Sequence, residues 1–242
     1  MAGEPVTGAP LEVSPLQRAE LALAARLLAA ALQDDPGWAH VVPDPDRRHV
    51  ALTTVTRVAL RDALPFGAVL AAREGDRLAG VAVWLPPGRY PMSVRRKLRT
   101  APAMAALALR TPRDIAALAR FGAGVDAAFP AEPVWYLQVL GVHPGMQRRG
   151  IGHRLLRPVL AEADRTTTTC YLETAKPRNV AYYQRSGFRV TAPPTPLHPG
   201  GPPMTRMNRP PAAAARCTGC HPSRKPSFVA RDGGLLGRQV GA

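Results

Sequence analysis

Leu140-Gly141-Val142-His143-Pro144-Gly145-Met146-Gln147-Arg148-Arg149-Gly150-Ile151-Gly152 is the stretch on which the reading of this chain turns. The residues leading into it, 134–142, are almost uninterruptedly apolar with Gln138 as the only polar side chain, the pattern of a strand covered on both faces. Beyond it, Ile151, Leu155, Leu156, Val159 and Leu160 recur at helical spacing. Pro158 falls inside that helix and should kink it, at a cost of ~3 kcal/mol unless packing compensates. A strand, a Gly-rich turn and a helix start together make an anion-binding design. Glycines remove side chains where phosphates must approach the main chain, and the first turn of a helix points unsatisfied N–H groups outward. Arg148 and Arg149 add charge beside them. The stretch has neither the Gly-x-Gly-x-x-Gly form of a dinucleotide fingerprint nor the Gly-Lys-Ser/Thr ending of a phosphate loop.

Outward from this centre, a first helix is expected with Ser14 as cap, Pro15 in its first position, Gln17 completing a capping box and a body running to Leu32. Asp34-Asp35-Pro36-Gly37 breaks it, and a loop through Pro43 and Pro45 leads to a second helix over 48–64. A hairpin follows, 68–73 and 78–85 about the turn Glu74-Gly75-Asp76, ended by Pro86-Pro87-Gly88. Residues 89–113 carry seven Arg or Lys and no acid, in a pattern that suits one or two helices before another over 114–128. Residues 170–174 read as a strand, and 179–186 as a short helix with Asn179 at its cap and Gly187 just past its end. A closing hairpin is expected from 188–190 and 203–208. From Pro210 onward periodicity ends and Pro, Gly, Ala and Arg dominate, the composition of a disordered appendage.

Of 242 residues, 46% are hydrophobic and 20% charged, which excludes a fibrous or wholly disordered chain and supports one main core. The net charge of +15 comes from 32 basic against 17 acidic residues; +4 sits in 210–242 and +11 is spread over 1–209. Either an anionic partner or a generally Arg-rich composition accounts for that balance. The rival reading in a different class is a basic nucleic-acid-binding module built on 89–113, but Tyr90 is the only aromatic residue there, so the stacking expected for single strands is lacking. Three cysteines are too few for a disulfide framework, and neither a signal peptide nor a membrane span is read, so a cytoplasmic home is expected. Cys217-x-x-Cys220-His221 formally matches a haem attachment site, which would require export, or part of a zinc site lacking a fourth ligand. No metal is assigned.

Gln147-Arg148-Arg149-Gly150-Ile151-Gly152 resembles the Gln/Arg-x-x-Gly-x-Gly/Ala pattern of the GNAT superfamily of N-acetyltransferases, and Leu140-Gly141-Val142-x-Pro144 the usual end of that family's fourth strand. Asn179, Tyr182-Tyr183 and Gly187-Phe188 resemble its second motif. Asp34-Asp35-Pro36, Pro43-Asp44-Pro45-Asp46-Arg47, Glu132-Pro133-Val134-Trp135 and the run from Leu172 to Asn179 are similar to the puromycin N-acetyltransferase branch of actinobacterial enzymes. The likeness is loose over 16–85, close over 132–210, poor over 86–131 and absent from 211–242.

This resemblance implies an α/β (α+β) fold: a mixed, mostly antiparallel central sheet, splayed between the fourth and fifth strands, with helices on both faces. It implies an acetyltransferase domain over 1–210 with 86–131 as an inserted helical lid, and a tail over 211–242. Acetyl-CoA would be the acetyl donor, and a small-molecule amine, antibiotic or amino-acid-like, the acceptor. A peptide or protein amine stands as the alternative, and the chain would act as a monomer or homodimer. The main chain of Leu140, Gly141 and Val142 would pair with the pantetheine arm as an added strand. Gln147, Arg148, Arg149, Gly150, Ile151 and Gly152 would hold the diphosphate, and Asn179 would help hold the cofactor or simply cap its helix.

Acetyl transfer from a thioester to an amine needs a neutral amine, an oriented thioester and a proton for the departing thiolate. Tyr183 lies four residues beyond Asn179 and so on the same helical face. The resemblance assigns it the general acid's role; a tyrosine packed in the core is the competing account, and Tyr182 is read as the core residue of the pair. Glu173 is the candidate base, with a salt bridge to Lys176 or Arg178 as the alternative; Gln138 or Asp34 could equally orient the amine. His143 is read as exposed in its turn.

Overall fold

The computed structural model describes residues 10–197 and 199–212. Eight strands, β1 (Leu11–Pro15), β2 (Val69–Glu74), β3 (Arg77–Leu85), β4 (Trp135–Val142), β5 (Cys170–Thr174), β6 (Arg189–Val190), β7 (Thr195–Pro196) and β8 (Pro203–Arg209), form one sheet. Its order is β1-β2-β3-β4-β5-β8-β6, with β7 paired to β8. Every pairing is antiparallel except β4 with β5, which is parallel. The mixed sheet expected from the family resemblance is therefore observed, with helices on both faces. Helix α6 (Ile151–Arg165) and α7 (Pro177–Gln184) cover one face, α1 (Leu21–Leu32) and α3 (Pro45–Ala63) the other.

The local chemistry explains each departure from the sequence expectation. Residues 11–15 are an edge strand, not a helix start: Leu11 and Val13 turn toward the α6 core while Glu12 and Ser14 are exposed, a period of two. Pro15 is tolerated because an edge strand can spare its N–H. Helix entry falls later, where the Glu20 carboxylate accepts the Gln17 N–H at 2.8 Å and α1 begins at Leu21. The segment expected to be a loop holds α2 (Pro36–Val41): Asp35 accepts from the N–H groups of Gly37 and Trp38 at 3.0 and 3.4 Å, with Pro36 in the first turn. Asp44 and Pro45 repeat the device, so α3 begins at Pro45 rather than 48. In α7 the same logic places Pro177 in the first turn after Lys176 at the cap, and Asn179 is displaced from the cap into the first turn. Pro158 leaves α6 continuous, because Leu155, Leu156, Val159 and Leu160 around it are all buried.

Residues 86–131 supply α4 (Val94–Arg110) and α5 (Ile115–Ala128). They are anchored rather than merely solvated: Leu107 and Leu118 pack with Val41, Val42 and Ala51, and the Trp38 and Phe121 rings meet at 5.5 Å. Ion pairs tie them to α3, Arg96 to Asp62 and Arg47 Nε to the buried Asp114 at 2.8 Å. Among the described residues no helix is long and apolar enough to cross a membrane. Residues 213–242, including Cys217, Cys220 and His221, lie outside the described residues.

Two glycines of α5 have opposite surroundings. A Cβ at Gly124 would collide with the Leu197 carbonyl of the β7–β8 connection, whereas one at Gly122 would meet nothing within 4 Å. Gly124→Ala should therefore loosen α5 from the closing strands, destabilising by about 1–3 kcal/mol with faster amide exchange across 115–128. Gly122→Ala should be neutral or stabilise by up to ~1 kcal/mol through helix propensity. Urea denaturation with exchange mass spectrometry on both variants checks the contrast.

Candidate functional site

Parallel strands β4 and β5 pair at only two positions, Trp135 with Cys170 and Tyr136 with Tyr171. Beyond them the strands part. β4 continues to Val142 bound only to β3, with Leu140, Gly141 and Val142 opposite Ala82, Val81 and Gly80. β5 continues to Thr174 bound to β8. The edge of β4 turned to the opening thus keeps main-chain groups free to pair with an extended ligand. The β3–β4 register shifts between Val83 and Trp84, which leaves Gln138 as the extra residue of a bulge. Gln138 and Glu173 each stand two residues beyond the last β4–β5 pair, on the two lips of the opening. Gln138 Oε1 is shielded from solvent and has no hydrogen-bond partner.

At the end of β4, His143 Nδ1 accepts from Gly145 N at 3.2 Å, so this side chain is half-buried and braces the turn instead of standing exposed. Gln147 Nε2 donates to the Val142 carbonyl at 3.4 Å. Arg148 and Gly150 both adopt positive φ, 62° and 77°, and Gly150 opens α6 with no side-chain cap. Only glycine takes that conformation cheaply, and a Cβ there would meet nothing within 4 Å, so the first turn of α6 faces open space. Ile151 is a core residue, 2% exposed, and contributes its main chain alone to this turn. Arg149 is not free: it pairs with Glu74 of β2 at 2.6 Å, which leaves Arg148 as the uncommitted charge of the turn. Gly152 has a separate reason to be glycine, because a Cβ would collide with the Tyr182 hydroxyl.

Helix α7 is fastened to β5 through Asn179, whose Nδ2 donates to Thr174 Oγ1 at 3.2 Å. The two tyrosines exchange the surroundings expected of them. Tyr182 is half-buried and stacks on His153 at 4.7 Å, its hydroxyl shielded and without a partner. Tyr183 is the more enclosed, 8% exposed, packed on Phe188 at 5.8 Å within the α6-side core, because its face of α7 turns inward. Burial raises the Tyr183 phenol well above its ordinary value, as do the neighbouring Tyr182 and Asp35, so it is protonated at every physiological pH. Asp35 itself has a raised pKa from burial, against the pull of Lys176 and its two capping N–H groups. The start of α2 reaches the end of β5: a Cβ at Gly37 would lie 3.6 Å from Ala175 and 3.8 Å from Met204.

Glu173 lies on the other face of the sheet, toward α1 and α3. Strand alternation puts it with Tyr171, beside Tyr136 and Tyr90, and these rings form a cluster with Phe129 at centroid distances of 4.7 to 5.8 Å. Tyr90 comes from the 86–131 segment and donates to Asp126 at 2.6 Å, which brings that segment against the site. Glu173 Oε1 is shielded and has no hydrogen-bond partner. Burial pushes the carboxyl up to about 7, against the opposing influence of the Tyr171 and Tyr136 hydroxyls and of Arg206. The salt bridge to Lys176 or Arg178 weighed from sequence is not formed. Glu173 and Tyr183 therefore lie on opposite faces of the sheet, with Glu173 at the lip of the opening. Sequence reasoning did not single out Asp35; the signal was an Asp immediately before a Pro, a capping pair that fixes the carboxylate at a helix start. No comparable signal marks the bulge at Gln138, which exists only in the pairing.

The family model described as the Acetyltransferase (GNAT) family matches residues 29–188. Among solved structures, the histone acetyltransferase HPA2 and related acetyltransferase from Corynebacterium glutamicum aligns with a TM-score of 0.60 at 23% identity, over 85% of this chain and 98% of that one. The polyamine N-acetyltransferase of Drosophila melanogaster, an enzyme that forms N-acetylagmatine, aligns with a TM-score of 0.52 at 19% identity, over 82% and 98%. Arylalkylamine N-acetyltransferase 2 from Aedes aegypti aligns at 0.53 and 13% identity, over 83% and 98%. At these identities the likeness is one of fold.

Two outcomes follow from this geometry. Gly152→Ala should cost about 1–3 kcal/mol of stability, and adding Tyr182→Phe should restore most of it by removing the colliding oxygen; urea denaturation of the two single variants and the double variant measures the coupling. The folded-state pKa of Glu173 is raised, so the native protein holds a proton that the unfolded chain releases between about pH 4.5 and 7, and stability falls as pH rises through that window. Glu173→Gln should accordingly stabilise the protein above pH 7, on the order of 2 kcal/mol, and make no difference near pH 4, as read from melting curves across that range.

Proposed function

The chain belongs to the GNAT family of acetyltransferases, and from that premise we propose that it transfers an acetyl group from acetyl-CoA to the primary amine of a small molecule, directly and with Glu173 and Tyr183 as the proton-handling pair. The carrying observation is the opening between β4 and β5, with a carboxyl group whose pKa is about 7 on one side of β5 and a permanently protonated phenol on the other.

When bound, acetyl-CoA supplies an activated acyl group on a thiol leaving group. The residues present fit it. The free edge of β4 at Leu140, Gly141 and Val142 suits an extended pantetheine arm that pairs as a strand would. The uncapped first turn of α6, opened by Gly150, offers the N–H groups of Ile151 and Gly152 to phosphate oxygens, with Arg148 as counter-charge and Gln147 and the paired Arg149 holding the turn in shape. Asn179 fastens α7 through its amide nitrogen and leaves its amide oxygen to accept from the arm.

Glu173 takes the proton from the incoming ammonium. A carboxyl of pKa about 7 is half-ionised at neutral pH and is a far better base than an ordinary glutamate. Tyr183 donates its hydroxyl proton toward the departing sulfur in concert with bond cleavage; the apolar surroundings that disfavour a phenolate disfavour a free thiolate as well, which raises the sulfur's demand for the proton. The Glu173 carboxyl beside an aromatic cluster suits an acceptor that combines a cationic amine with a planar apolar body. An amino-acid-like or aminonucleoside antibiotic amine of the puromycin type fits that description, and the close resemblance over 132–210 favours it. The 86–131 segment, reaching the cluster through Tyr90 and Asp126, acts as the lid that selects it.

Release of free CoA from acetyl-CoA in the presence of an amine panel including puromycin tests the proposal. Acetylation of at least one amine is expected; inactivity across the panel removes the substrate assignment. Tyr183→Phe should lower kcat about 100-fold or more with acetyl-CoA affinity nearly unchanged, and unchanged kcat would show that another group donates the proton. For the native enzyme kcat/KM should rise with pH through about 7 as Glu173 loses its proton. Glu173→Gln should abolish that limb along with most of the rate.

A further inference from the structure

Across the sheet from the α6 turn, on the outer side of α1 and α3, lie two adjoining grooves that acetyl transfer does not use. One, of about 410 Å3, runs between α3 and α4 and is lined by Arg26, His49, Arg57, Arg61 and Arg110 over an apolar wall that includes Val58 and Leu107. The other, of about 520 Å3, contains Arg18 and shares Arg57 and Arg61 with the first. Together they bring five arginines and a histidine to one surface, with no acid in the lining. The acids beside Arg18 and Arg61 in the sequence are already committed: Glu20 pairs with Arg73, and Asp62 with Arg96. None of the five guanidinium groups takes part in an ion pair among the described residues. Arg57 Nε and Thr53 Oγ1, in the wall of the first groove, are shielded from water and have no partner. Clustered like charges are mutually repulsive and shielded donors are costly, and both penalties vanish when an oxyanion enters. A cleft with walls of one sign also concentrates counter-ions.

We propose that this groove is a second binding site, for a nucleoside polyphosphate. The shared Arg57 and Arg61 are the phosphate subsite, with Arg18 and Arg26 completing it from the short 3-10 turn Arg18–Glu20 and from α1, and the apolar wall of Val58 and Leu107 receives the base or sugar. The volumes fall in the range of small-molecule sites, about 300–1,000 Å3. The lining has no aromatic residue on which successive bases of a strand could stack, which argues against a nucleic-acid track. Because the groove is walled by α3 on one side and α4 on the other, a bound anion would join the 86–131 segment to the body of the domain. The proposal is independent of the acetyl-transfer assignment.

The test is calorimetric titration of the full chain with ATP and with tripolyphosphate at ~0.15 M salt, repeated with excess acetyl-CoA present. One ATP per chain is expected to bind, to persist in the presence of acetyl-CoA and to bind more tightly than tripolyphosphate. The exposed pair Arg26→Gln/Arg61→Gln should weaken it about tenfold or more, while Arg77→Gln, an exposed arginine at the start of β3, should not. Absence of saturable ATP binding, displacement by acetyl-CoA, or equal weakening by Arg77→Gln would each overturn the site. Equal affinity for tripolyphosphate would overturn the nucleotide assignment, as would tighter binding of a short DNA duplex.

Discussion

Where β4 and β5 separate after Tyr136 and Tyr171, one strand edge in the middle of the sheet loses its partner, and the rest of the site is arranged around that loss. An interior edge with open hydrogen-bonding groups is unfavourable unless something covers or uses it. Here the bulge at Gln138 re-aims β4, β8 takes over the far side of β5, and the opening is left between two well-packed halves. Each face has its own core, and both cores span the opening: Trp84, Leu155, Phe188 and Met207 on the α6 side, Leu28, Val83, Tyr136 and Tyr171 on the α1 side. The separation is thus held by packing on both faces.

That arrangement also places the two titratable groups of the proposed reaction on opposite faces of one strand. Successive residues of β5 point to opposite faces, so Glu173 meets the tyrosine cluster while Leu172 and Thr174 face α7. Burial acts on both groups in the same direction, against charge. In the proposed reaction the carboxyl would then be a base matched to neutral pH, and the phenol would stay protonated until a thiolate forms beside it. The cost is visible in the unpartnered Glu173 Oε1 and Gln138 Oε1, polar atoms left without partners at the two lips of the opening.

Much of this was legible in the sequence where the signal is local. The apolar run ending at Val142, the glycines at 150 and 152 and the helical recurrence after Ile151 specify β4, the turn and α6 without help from the rest of the chain. The hairpin of β2 and β3 was equally plain from its Glu-Gly-Asp turn. What escaped is decided by tertiary pairing or by a choice between two local rules. Ser14 and Pro15 satisfy a helix-start rule, yet sheet pairing with β2 wins, since Leu11 and Val13 gain burial that a helix would not give them. Asn179 suits a cap, but Pro177 claims the first turn before it. Arg149 was read as a phosphate ligand, and its partner Glu74 lies 75 residues away at the end of β2. The collision that fixes Gly152 comes from Tyr182, on another helix, and only the folded arrangement brings them together.

The account stands most directly on whether acetyl-CoA enters the opening of the sheet. Amide exchange by mass spectrometry, with and without acetyl-CoA, reads this without requiring an acceptor. Protection confined to the main chain of 137–142 and to the first turn of α6 at 150–153 is the predicted result. Binding without protection of these amides, or protection centred on the outer groove of α1 and α3, would contradict it.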